Sequence, residues 1–84
     1  MIWTVRFTPA AQRQIEALDR PIRDRIAAAL ARLAGDPAAS PNVKALHGGG
    51  YRLRVGDWRV LFAREDDALV VLVLRVAHRR EAYR

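Results

Sequence analysis

Tyr51-Arg-Leu-Arg-Val-Gly-Asp-Trp-Arg-Val-Leu-Phe62 is the stretch from which the rest of the chain can be placed. Two runs rich in alternating apolar residues flank Gly56-Asp57, a two-residue loop of the kind that joins antiparallel strands tightly. Such a loop fixes register, so Val55 falls opposite Trp58, Arg54 opposite Arg59, Leu53 opposite Val60 and Arg52 opposite Leu61. Side chains alternate between the faces of a sheet. Tyr51, Leu53, Val55, Trp58, Val60 and Phe62 therefore share a face that other elements must cover, and Arg52, Arg54 and Arg59 share the opposite one. Like charges facing each other across a sheet are destabilising. The Arg54–Arg59 pair is relieved by a bound polyanion, or it is a solvated face screened by salt with the help of Asp57 in the turn.

Working toward the C-terminus, Leu69 to Val76 reads as a further strand. Leu69-Val-Val-Leu-Val-Leu74 is apolar at every position, which predicts a central strand covered on both faces along much of its length. The tail from Arg75 to Arg84 is basic, and His78-Arg79-Arg80-Glu81-Ala82-Tyr83-Arg84 is placed to fold back over the arginine face. Tyr83 is a candidate to stack on a base, bond a phosphate or transfer a proton; its plainer role is to anchor the terminus. His78 is a candidate acid or base, or simply an exposed residue near the chain end.

Toward the N-terminus, Ile2 to Phe7 alternates and is rich in β-branched and aromatic types, which predicts a strand. Thr8 offers an N-cap oxygen and Pro9 suits the first helical position. Ala11, Ile15 and Leu18 give a narrow apolar stripe, and Glu16 is spaced to pair with Arg20 one turn on. Pro21 breaks and restarts the run. Ile22, Ile26, Ala29, Leu30 and Leu33 then mark a second helix ending at Gly35-Asp36-Pro37. Asp36 to Gly50 has no sustained period and reads as a connection that pins Val43 and Leu46 on the core, with Gly48-Gly49-Gly50 as its flexible end. The order β-α-α-β-β-β predicts an α+β fold of two layers: an N-terminal strand, then an αα-hairpin packed on a mainly antiparallel sheet. One domain spans 1–84, since two cores of half this size would each be too small.

Composition narrows the function. The 84 residues carry a formal charge of +6, and Lys44 is the single lysine among fifteen basic residues, leaving fourteen arginines. Planar guanidinium forks suit bidentate phosphate contacts, although a high-GC coding bias enriches arginine as well. With no cysteine there is no disulfide, thiol nucleophile or Cys-ligated metal. His47 and His78 are too few for a protein-only metal site, and no metal or other cofactor is expected. Gly48 to Gly50 lacks the lysine and helix of a phosphate loop. Trp3 and Trp58 read as core, and Asp66 and Asp67 as turn residues. The longest apolar run, Ala68 to Leu74, is far short of a membrane span, and the start lacks the regions of an export signal. A cytoplasmic location is the expectation.

Tyr51 to Phe62 and Val73-Leu-Arg-Val-Ala-His-Arg-Arg-Glu-Ala-Tyr-Arg84, with Lys44-Ala-Leu at the end of the connection, resemble the RelE branch of the RelE/ParE toxin superfamily. The resemblance spans nearly the whole chain. It implies the toxin of a type II toxin–antitoxin pair that enters the ribosomal A site and cuts mRNA by 2′-hydroxyl attack on the adjacent phosphate, without a cofactor. Carried across by position, Arg52, Arg54, Arg59, Arg79 and Tyr83 are the catalytic set. Lys44, Arg75, His78, Arg80 and Arg84 are candidate RNA contacts beside them. The resemblance also implies a cognate RelB-like or other type II antitoxin encoded by an adjacent gene, in a toxin–antitoxin hetero-oligomer, with no membrane partner. This chain departs from the family at Arg52 and Arg54, where well-studied members have lysines. An arginine is a poor general base, so these two are expected to act electrostatically, with Tyr83 or His78 moving the proton. The chain also stops at Tyr83-Arg84, without the helix that some relatives carry past the tyrosine. Two alternatives remain: a ParE-type inhibitor of DNA gyrase with the same fold, and a non-catalytic nucleic-acid-binding module.

Overall fold

The β3 (Tyr51–Val55) and β4 (Trp58–Glu65) strands meet across Gly56-Asp57 in the expected register, from Tyr51 opposite Phe62 to Val55 opposite Trp58. Gly56 has φ +60°, a conformation that glycine adopts at the first position of a II′ loop. The computed structural model describes residues 2–38 and 40–82. Around the hairpin it places β1 (Thr4–Phe7), α1 (Pro9–Glu16), α2 (Arg20–Gly35), β2 (Val43–Ala45), β5 (Val70–His78) and a short α3 (Arg79–Ala82). One sheet has the order β1-β5-β4-β3-β2, with β1 parallel to β5 and every other pair antiparallel. No helix among the described residues is long and apolar enough to cross a membrane.

The helices cover one face. Ala11 of α1 and Ile26, Leu30 and Leu33 of α2 pack with Leu53, Val60, Phe62, Val71, Val73 and Val76. Tyr51, Val55 and Trp58 border this core as partly buried residues, as their place on the hairpin face requires. Thr8 caps α1 by accepting the Ala11 N–H at 3.2 Å, and its hydroxyl donates to the Leu74 carbonyl at 3.1 Å. One side chain thus starts the helix and ties it to the central strand.

Three expectations are corrected. The connection is not wholly irregular: Val43–Ala45 forms an edge strand against β3, too short for any period to show. Glu16 does not pair with Arg20, because α1 ends at Glu16 and Arg20 begins a new helix, where it lies 3.8 Å from Asp24 instead. The β5 strand is central, but its second face is only partly covered, with Leu72 half-buried and Leu74 exposed. It is also not regular. Leu61 faces Arg75 while Phe62 faces Val73, so Leu74 is an extra residue, a bulge that reverses which side later residues occupy. Beyond it the Val76 N–H donates to the Gln14 side-chain oxygen at 2.7 Å.

Candidate active site

The open face of β3 and β4 carries Arg52, Arg54 and Arg59, as the register demands. The end of β5 is fastened to the hairpin turn by the Arg79 N–H, which donates to the Asp57 carbonyl at 2.7 Å. That bond brings Arg79 to the same place, with its Nη1 3.8 Å from the Asp57 carboxylate. Arg54, Arg59 and Arg79 line one cleft of about 460 Å³ with Asn42, Gly56 and Asp57. Three guanidiniums face one carboxylate there, an arrangement suited to a phosphate and to the added negative charge of its transition state.

Arg59 is the best-placed of the three. Its Nη1 donates to the carbonyls of Gly56 and Trp58 at 3.4 Å each, both long, and its Nε is buried with no partner among the described residues. An unsatisfied buried donor costs about 1–3 kcal/mol. An anion oxygen in the cleft would satisfy it.

The remaining sequence candidates divide. Arg52 is half-buried and stands opposite Lys44 of β2; the two line a smaller cavity of about 160 Å³ together with Arg54 and Asn42. Arg75 is exposed at the bulge, opposite Leu61 and beside neither cavity. His78 lies opposite Trp58, edge-on to its ring at 5.4 Å, and so on the helix-covered side. It does not line the arginine cleft. Arg80 is exposed, and its N–H reaches His78 Nδ1 at 3.4 Å. Tyr83 and Arg84 lie outside the described residues. Sequence reasoning missed Asn42, which lines both cavities and whose carbonyl accepts the Arg54 N–H at 3.0 Å. The available signal was its position just before a strand that was not recognised. Among the described residues no three His, Cys, Asp or Glu stand together as a metal-ligand group.

Comparison with known proteins places this geometry in context. A family model described as the ParE toxin of type II toxin–antitoxin systems (parDE) matches residues 5–83. The chain is 34% identical over 90 residues to Toxin RelG of Mycobacterium tuberculosis, covering 100% of this chain and 99% of that one. Its fold is similar to a chain of the toxin–antitoxin complex RelBE2 from the same organism, with a TM-score of 0.82 and 30% identity over 93% of this chain and 99% of the other. The isolated E. coli RelE toxin shares the fold at a TM-score of 0.74 and 21% identity, covering 96% of this chain and 95% of that one.

Proposed function

The chain belongs to the RelE/ParE superfamily of type II toxin–antitoxin toxins, and from that premise we propose that it is a ribosome-dependent mRNA endoribonuclease. The observation that carries this reading is the cleft in which Arg59, with a buried Nε lacking a partner, stands beside Arg54 and Arg79. In this account Arg59 clamps the scissile phosphate and Arg79 stabilises the departing 5′-oxygen. Arg52 and Arg54 lower the cost of negative charge on the attacking 2′-oxygen. The 2′-hydroxyl gives up its proton as its oxygen bonds to phosphorus, the bond from phosphorus to the 5′-oxygen breaks, that oxygen takes up a proton, and a 2′,3′-cyclic phosphate remains. The guanidiniums keep their charge throughout, so the proton needs another carrier. His78 faces the helix side, which favours Tyr83 for that step.

The partner that holds the toxin inactive is an acidic antitoxin, in keeping with the RelB antitoxins that accompany similar toxins in solved complexes. Its gene lies beside this one. The matching ParE description supports a second reading, inhibition of DNA gyrase. The two separate in one experiment, in which purified toxin is added in parallel to programmed ribosomes and to a gyrase supercoiling reaction. The proposal predicts cleaved mRNA and untouched supercoiling; intact mRNA with blocked supercoiling would assign the chain to the gyrase inhibitors.

A further inference from the structure

A second, larger cavity of about 560 Å³ lies between α2 and β3, behind the arginine cleft. Arg25 and Arg32 reach it from α2, two helical turns apart and so about 10 Å along the helix axis. Ala28, Ala29 and Pro41 give it apolar walls, and Asp36 is its single carboxylate among the described residues. None of Arg25, Arg32 and Arg54 forms an ion pair with a described residue. Asn42 and Arg54 line this cavity, the arginine cleft and the smaller Lys44–Arg52 cavity alike, so the three adjoin one another around these two residues. Arg25 stands at the junction. A Cβ on Gly56 would lie 3.0 Å from its Nη2, which puts the guanidinium against the turn that forms the wall of the arginine cleft.

We propose that this cavity is a second RNA subsite, holding a nucleotide that flanks the scissile phosphate. The base rests against Ala28 and Pro41, the sugar–phosphate backbone lies on Arg25 and Arg32, and Arg54 spans the two sites. Its size is that of a small-molecule site, and its mixture of apolar wall and cationic rim suits a nucleotide better than a bare anion. The inference rests on the ribonuclease reading of the cleft.

The test compares wild type with an Arg25→Gln/Arg32→Gln variant, whose substitutions keep helix propensity at exposed positions; a thermal melt confirms that it is folded. One arm measures binding of a 2′-O-methylated single-stranded oligoribonucleotide, which cannot be cut, across a range of salt. The other measures cleavage kinetics on programmed ribosomes. The variant should bind the oligonucleotide about tenfold more weakly, and its log–log salt slope should be shallower by about 1.4, at 0.7 for each lost phosphate contact. On ribosomes the loss should fall on KM rather than kcat. A KM effect with unchanged oligonucleotide binding would overturn the proposal and assign Arg25 and Arg32 to contacts with the ribosome instead of the message. Unchanged behaviour in both arms would overturn the proposal. If wild type binds RNA through these residues but never cuts it, the nuclease reading fails and the subsite with it, leaving only an RNA-binding groove.

Discussion

Arg59 is the residue on which the proposed chemistry turns. A buried guanidinium nitrogen without an acceptor is retained at a cost in stability, and a phosphate oxygen is the natural acceptor in a cleft shared with Arg54 and Arg79. Arg59→Ala should lower the single-turnover rate of mRNA cleavage on purified ribosomes by about 10²–10³, the usual effect of removing one transition-state donor. Its thermal stability should hold or rise, since the unsatisfied donor goes with it. Tyr83→Phe should slow cleavage as well; a phenylalanine variant cutting at the wild-type rate would remove the tyrosine from proton transfer. The arginine trio of the hairpin was legible in the sequence because a two-residue loop leaves only one register. The meeting of Arg79 with Asp57 and the approach of Asn42 were not, since they depend on where separate elements dock. His78 shows how a local irregularity decides a role. The extra residue at Leu74 turns it toward Trp58, and no residue type in Leu72 to Val76 announces that bulge.

Among the elements, the β3–β4 hairpin carries the site, and Gly56 sets its shape. Gly56→Ala puts a Cβ at φ +60° and crowds Arg25, so it should destabilise by about 1–2 kcal/mol and lower Tm by about 4–8 °C for each kcal/mol. A melt unchanged within 1–2 °C (roughly 0.3 kcal/mol on the same scale) would show that the turn has another way to form. The other end of β4 is held by Arg64, whose guanidinium lies 5.3 Å from the Trp3 ring centre and 5.4 Å from that of Tyr51 while bonding Asp66 at 3.2 Å. Arg64→Ala should therefore destabilise by about 1–2 kcal/mol, more than a surface arginine would, as two cation–π contacts and covered aromatic area are lost. Denaturant unfolding reads this directly. Elements with strong local signals were legible, above all Thr8-Pro9 opening α1 and the wholly apolar run that became the central strand. The three-residue β2 and the early end of α1 were hidden, because pairing with β3 makes the first and no capping residue marks the second.

At the scale of the whole molecule, fifteen basic residues on a small two-layer fold leave a net charge of +6, and the sheet's open face concentrates part of it around one groove. The proposed binding to ribosomes and to an acidic antitoxin should therefore slow as salt is raised, chiefly through the association rate; stopped-flow mixing at several ionic strengths checks this. Fold and family were readable from the order of elements and the hairpin and tail motifs together. The proposed reaction would depend on the groups that converge at the hairpin turn. The most direct test is primer extension on a defined mRNA in a purified translation system, comparing wild type with an Arg59→Ala/Arg79→Ala variant. The account predicts cuts at A-site codons that require ribosomes and disappear in the variant. An uncut message with well-folded wild type, or equal cutting by both proteins, would contradict it.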